Sequence, residues 1–264
     1  MPLTVRGAGA PDAADVHEHR IDGLVLRART LRDTTDAPSD DVRADTVLVH
    51  GLGASSASFE PLARHLARAG TVHLLDLPGF GRLPRPRHRL EVEELAAVVA
   101  GWLQRTGVER PVLVGHSMGA QVVAEVAAAA PASVSGVVLV GPTTDLEGRS
   151  AVRQMLRLAR SSVHESTAAR AVLLRSYVEC GPRWYVSELR AMLGHRVEER
   201  LGEVRAPLLV VRGEHDRVTP APWAALLADA APYGRAATVP GAGHAVMYDR
   251  AREVADLVLG HAVP

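Results

Sequence analysis

The chain has 264 residues, 47% of them apolar and 23% charged, enough for one large or two small globular domains and too apolar for a disordered polypeptide. Thirty basic and thirty acidic residues cancel, which argues against a general nucleic-acid or anionic-membrane binder. Every one of the thirty basic residues is arginine and Cys180 is the lone cysteine, so lysine chemistry, an internal disulfide framework and an all-cysteine metal site are excluded.

Residues 1–16 carry one arginine and no continuous apolar run of signal-peptide length. Residues 15–21 and 24–31 alternate polar with apolar, the pattern of an antiparallel edge. Continuous apolar runs follow at 46–50 (TVLVH), 72–76 (VHLLD), 112–115 (VLVG), 137–140 (VVLV) and 208–212 (LLVVR), with a final one at 236–239. Such runs are expected of parallel strands covered on both faces. Between them, helical spacing marks 59–69, 90–106, 118–130, 222–230 and 250–259. Alternation of strand and helix predicts an α/β fold, a mostly parallel central sheet with helices on both faces. Residues 142–205 break the rhythm: they hold no convincing strand and read as helices at 150–161, 164–180 and 185–199, interrupted at Gly181-Pro182. They are expected to form a helical lid inserted into a core built from residues 1–141 and 206–264.

The chemistry concentrates at strand ends. Gly115-His116-Ser117-Met118-Gly119 follows one strand and opens a helix, the strand–turn–helix setting of a G-x-S-x-G nucleophile elbow. So tight a turn leaves no room for side chains at its flanks and forces the serine into a strained backbone conformation with its hydroxyl clear of the sheet. The helix N-terminus beneath it offers unpaired N–H groups to a developing oxyanion. Serine is a poor nucleophile at its own pKa and needs a base. His244, in a glycine-rich turn after the last strand, is the candidate. Asp216, at the carboxyl end of the strand at 208–212, would fix the imidazole tautomer and stabilise the imidazolium. Glu214 and Asp145 compete with it for that role. The loop His50-Gly51-Leu52-Gly53 follows the strand at 46–50, so the backbone N–H groups of Leu52 and Met118 are the expected oxyanion donors. His50 would orient that loop or touch substrate. The turn Asp76–Gly81 (DLPGFG) either shapes a pocket floor or serves loop geometry alone.

These motifs (HGLG at 50–53, DLPGFG at 76–81, GHSMG at 115–119, GEHDRVTP at 213–220 and GAGH at 241–244) resemble those of the α/β-hydrolase superfamily from about residue 20 to 260. The resemblance implies that fold, a catalytic triad of Ser117, Asp216 and His244, and a lid at 142–205. Serine at the nucleophile position separates the chain from epoxide hydrolases and haloalkane dehalogenases, which resemble it but carry aspartate there. Carbon–carbon bond hydrolases usually have asparagine and tryptophan where His116 and Ala245 stand, and prolyl aminopeptidases differ at Leu52-Gly53-Ala54 and Met118.

The reading that results is a serine hydrolase cleaving a small carboxylic ester or thioester through an acyl-serine, with no cofactor and no metal. Its alternatives are a cofactor-free lyase, cyclase or carbon–carbon bond hydrolase, or a non-hydrolytic ligand binder, on the same fold. Expected partners are a small acyl substrate, with no nucleic acid and no membrane, in a cytoplasmic monomer or homodimer. Tyr177, Trp184 and Tyr185 are candidate pocket residues, with Leu156, Leu158, Leu173, Leu174, Leu189 and Met192 either joining them or packing the lid. Arg153, Arg157, Arg175, Arg183 and Arg190 are each either substrate grips or solvated surface. Cys180 is expected to be a packing residue.

Overall fold

The computed structural model describes residues 15–32, 44–143, 145 and 149–261. Eight strands are present: β1 Asp15–Ile21, β2 Leu24–Leu31, β3 Thr46–Val49, β4 Val72–Asp76, β5 Val112–His116, β6 Gly136–Val140, β7 Leu208–Gly213 and β8 Gly234–Val239. They form one sheet in the order β1-β2-β4-β3-β5-β6-β7-β8. β1 and β2 form an antiparallel hairpin, β2 runs antiparallel to β4, and every other pair is parallel. The alternation at 15–31 and the continuous apolar runs from 46 onward therefore mark the edge hairpin and the buried parallel strands. β3 to β7 are buried along their whole length, as strands covered on both faces must be.

Helices α1 Glu60–Leu66, α2 Val92–Thr106 and α3 Met118–Ala129 follow β3, β4 and β5. One face of the sheet is closed by Leu95, Val99 and Trp102 of α2 and the alanine-rich α3. The other is closed by Leu62 and Leu66 of α1 together with residues from the C-terminus of the chain. α2 begins with a capping box in which Glu91 and Glu94 exchange side-chain and backbone hydrogen bonds, which satisfies two donors that the first turn leaves open.

Between β6 and β7 lie α4 Ala151–Ser162, α5 Thr167–Cys180, α6 Pro182–Gly194 and α7 Val197–Arg200. Two boundaries differ from the sequence reading. The helix expected from 164 starts at Thr167, because the Ser166 side chain accepts the Ala169 N–H and caps it there. The helix expected over 185–199 starts at Pro182, directly after the break, and ends at Gly194. His195 turns extended so that its Nε2 meets Glu125 Oε1 at 2.8 Å in the body of the fold. After β7 come α8 Ala221–Ala230, α9 Val246–Asp249 and α10 Ala251–His261, the last packing Val254, Ala255 and Val258 beside α1. Among the described residues no helix is long and apolar enough to cross a membrane.

Candidate active site

Ser117 stands between β5 and α3 with φ 56° and ψ −117°, a conformation that costs a non-glycine residue roughly 1–3 kcal/mol and persists only where packing over-determines it. The packing is visible at the flanking glycines. A Cβ on Gly115 would lie 2.2 Å from the Gly119 carbonyl oxygen, and one on Gly119 would lie 2.1 Å from that of Val49. The Ser117 N–H donates to Val140 O at 2.9 Å, locking the elbow to β6. Met118 opens α3, so its N–H has no acceptor within the helix. A Cβ on Gly51 would lie 2.9 Å from Ser117 Cβ, so the loop carrying Leu52 passes directly beside the serine.

His244 and Asp216 are hydrogen-bonded, His244 Nδ1 to Asp216 Oδ2 at 2.9 Å, and both are buried. A carboxylate only accepts, so Nδ1 carries the proton and Nε2 is left for other work. The other carboxylate oxygen takes the N–H groups of Val218 at 2.8 Å and Thr219 at 3.1 Å. Burial alone would raise the Asp216 pKa; the His244 charge and these hydrogen bonds outweigh it and hold the carboxyl below its ordinary value. Burial alone would lower the His244 pKa; Asp216 outweighs it and, with help from Glu165, holds the imidazole above its ordinary value. The competing acids are occupied elsewhere. Asp145 pairs with Arg157 Nη1 at 2.5 Å, and Glu214 accepts the Gly241 N–H at 2.8 Å.

Ser117, His244 and Leu52 line one cavity of about 40 Å³. Its apolar wall comes from Leu158, Leu173, Leu189 and Met192 with Tyr177, Tyr185 and Met155, and its polar groups are Thr143, Gln154 and His116. Burial raises the pKa of both tyrosines, so they face the cavity as neutral donors. Thr143 Oγ1 is buried with no hydrogen-bond partner among the described residues.

Other residues singled out from the sequence stand apart from the cavity. His50 is fully buried and turned away from it. Its Nδ1 donates to Gly51 O at 2.8 Å and its Nε2 accepts the Leu77 N–H at 3.1 Å. This correction follows from the ring's hydrogen bonding: both nitrogens staple the two loops together and neither is left for a substrate. Trp184 is also outside the cavity. Its indole lies over Gly79, where a Cβ would come within 2.6 Å, and against Phe80. The Asp76–Gly81 turn contributes no cavity wall. Asp76 instead accepts the Ser56 N–H at 2.7 Å, and Arg27 donates to Gly81 O at 2.8 Å. Leu156 and Leu174 are solvent-exposed. Arg175 pairs with Glu179, while Arg183 and Arg190 are exposed.

Three features around the site were not legible as such. His116 donates from Nε2 to the His244 carbonyl oxygen at 3.1 Å, its ring 4.7 Å from that of His244. Burial, reinforced by the nearby His244, lowers its pKa to about 3, so it is neutral at any working pH. Arg212, buried at the end of β7, donates to the carbonyls of Thr219 and Glu214 at 2.8 and 2.9 Å and shapes the Asp216 loop; a charge ending an apolar strand was its signal. The turn from Ser161 to Ser166 touches both loops that carry Asp216 and His244. Ser161 Oγ accepts the Arg217 N–H at 2.8 Å, and His164 stacks on His215 at 4.2 Å. Glu165 accepts the Ala245 N–H at 3.3 Å, and Ser166 hydrogen-bonds Asp249 through both its N–H and its hydroxyl.

Among the described residues one group, Glu93, Glu125 and His195, brings metal-ligating atoms together. It lies away from the cavity, and Arg200 Nε already engages both Glu125 oxygens at 3.0 and 3.1 Å, so the carboxylate is neutralised without an ion.

Comparison with known proteins agrees with this architecture. The chain is 31% identical over 218 residues to a monoacylglycerol lipase of Mycolicibacterium smegmatis, a match covering 73% of this chain and 77% of that one. It is 32% identical over 117 residues to the abhydrolase domain-containing protein abhd-5.2 of Caenorhabditis elegans, where the match spans 43% of this chain and only 26% of the relative's length. The enol-lactonase from Burkholderia xenovorans LB400 superposes with a TM-score of 0.77 at 19% identity, over 92% of this chain and 98% of that one, a likeness of fold. The family model for the alpha/beta hydrolase family matches residues 46–257. With that match spanning the sheet from β3 to β8 and the elbow between them, the chain belongs to the alpha/beta hydrolase family.

Proposed function

We propose that the protein is a serine hydrolase that cleaves small carboxylic esters or thioesters through an acyl-serine. The observation that carries this reading is the 2.9 Å pair between buried His244 and Asp216, whose imidazole lines the same cavity as a serine held at positive φ. His244 Nε2 takes the Ser117 proton as Oγ attacks the acyl carbon, and Asp216 stabilises the imidazolium that forms. The negative charge moves to the acyl oxygen, where the N–H groups of Leu52 and Met118 receive it. The imidazolium then protonates the leaving alcohol or thiol. Water, deprotonated by the same histidine, hydrolyses the acyl-enzyme, so one site serves both ester classes.

The helices α4 to α6 act as the lid, supplying Leu158, Leu173, Tyr177, Tyr185, Leu189 and Met192 to the acyl pocket. A cavity of about 40 Å³ holds roughly three water-sized centres. It fits an acyl group of a few carbons. The orphan Thr143 hydroxyl is placed to hydrogen-bond a polar substituent on the substrate.

The test is turnover of p-nitrophenyl esters and acyl thioesters of graded length by wild type and Ser117→Ala, with intact-mass detection of the acyl adduct. The expected result is an adduct on the wild type only, fastest turnover with short acyl groups, and a loss near 10⁶-fold in the variant. Turnover retained by Ser117→Ala would overturn the assignment and favour chemistry by the histidine alone.

A further inference from the structure

α4 is built inside out. At about 100° per residue, Val152, Met155, Leu156, Ala159 and Val163 fall on one stripe, and the structure turns that stripe to solvent. Val152 is 66% exposed, Met155 59%, Leu156 52% and Val163 68%. The residues that α4 buries are polar, Gln154 and Ser161. The contrast with α10, which buries Val254, Ala255 and Val258 and exposes Arg252 and Glu253, shows that the chain orients amphipathic helices correctly elsewhere. Of the ten large apolar side chains exposed among the described residues, seven lie between 152 and 186, so the exposed apolar surface is concentrated in this helical segment.

The charge carried by α4 itself has one sign. α4 contains no acidic residue, and Arg153, Arg157 and Arg160 project from the flank next to Val152 and Leu156. Arg157 is held by Asp145, and Arg160 is exposed. An apolar stripe bordered by arginine is the composition of a helix that lies in a lipid–water interface, with the apolar side among acyl chains and the cations at anionic headgroups. A second copy of this chain fits less well: pairing two such faces would bring cationic flanks together with no carboxylate on either helix to offset them. The surface is also continuous with the catalytic cavity, because Met155 belongs to both.

We propose that the outward face of α4 docks the protein onto an anionic lipid surface, with Val152, Leu156 and Val163 entering the interface and Arg160 meeting lipid phosphates. Docking sets the mouth of the cavity, at Met155, against the lipid phase. The overall neutrality of the chain does not oppose this, since the relevant charge is local.

The experiment is co-sedimentation of the full chain with vesicles of equal parts phosphatidylcholine and phosphatidylglycerol, and with vesicles of phosphatidylcholine alone. The wild type is expected to partition onto the mixed vesicles, more weakly onto the neutral ones, and less as salt is added. Val152→Asp/Leu156→Asp is expected to lose at least about tenfold of that partition, and Arg160→Glu to lose the preference for anionic vesicles, with thermal unfolding and vesicle-free p-nitrophenyl acetate turnover unchanged in both. Wild-type protein that stays in the supernatant with mixed vesicles overturns the proposal, as does a double variant that binds like wild type. A wild type that sediments as a dimer without vesicles, and a double variant that sediments as a monomer, would instead make the face a contact between copies of this chain.

Discussion

Replacing Asp216 by asparagine tests the triad where the structure is most explicit. The carboxylate serves three donors: Val218 and Thr219 N–H on one oxygen, at 2.8 and 3.1 Å, and His244 Nδ1 on the other, at 2.9 Å. Asparagine keeps the shape but has one acceptor oxygen. The two backbone donors claim it, and the amide NH₂ then faces Nδ1. That contact requires an unprotonated Nδ1 and moves the imidazole proton to Nε2, the nitrogen that must accept from Ser117. The expected loss is about 10⁴-fold in kcat, roughly 5.5 kcal/mol of barrier. KM should hold within about threefold, because Asp216 forms no part of the cavity wall. The pH profile must move as well. In the wild type, attraction by Asp216 overcomes burial and raises the His244 pKa, so kcat/KM should rise with pH through a midpoint above the ordinary histidine value of about 6.5. In the variant burial remains with only Glu165 to oppose it, and the midpoint of the residual activity falls below that of the wild type. The assay is kcat and KM for p-nitrophenyl acetate from pH 5 to 9. A variant within tenfold of wild type, or a midpoint that moves upward, would refute the reasoning.

Further predictions concern packing and titration. Gly119→Ala places a Cβ 2.1 Å from Val49 O and 2.6 Å from His50 O; both are backbone atoms, so the cost should be at least about 3 kcal/mol and Tm should fall roughly 6–12 °C. Glu188 has no exposed surface, and burial pushes its carboxyl up to about 7. Its native state therefore holds a proton longer than the unfolded chain, and stability declines as pH rises from about 4.5 to about 7. Glu188→Gln keeps the acceptor for the Leu90 N–H and should be more stable than wild type by on the order of 2–3 kcal/mol at pH 8, with little difference at pH 4, read from denaturant unfolding at both values. Burial likewise pushes the Cys180 thiol up to about 11, so iodoacetamide at pH 8 should leave the folded protein unmodified and react only after denaturation.

The sheet was legible because parallel strands buried on both faces are continuous runs of Val and Leu, a signal that no neighbouring segment imitates. The elbow was legible because two glycines in contact with backbone leave a fixed spacing in the chain. What escaped the sequence was orientation. His50 was expected either to orient its loop or to touch substrate, and nothing in the spacing separates the two; nor does the position of Trp184 near the start of α6 say that its indole covers Gly79. Helical spacing does not say which side of α4 meets the body, so Leu156 read as either a pocket or a lid-packing residue although it faces solvent. Glu165 was invisible for a simpler reason: a carboxylate in a helix–helix turn reads as solvated until the fold brings the Ala245 N–H to it.

That turn, from Ser161 to Ser166, constrains how this protein can be recombined. Because it grips the segments around both Asp216 and His244, the helical segment is not an interchangeable cassette. A chimera that imports 151–194 whole from a relative would sever the seating of Asp216 and His244 at the same junction that changes the cavity wall, and its loss of rate could not be credited to substrate fit. Grafts that begin at Thr167 leave the grip in place and exchange only the α5 and α6 walls. The natural cut point for altering specificity in this scaffold is therefore inside the helical segment, after the turn, and not at its ends.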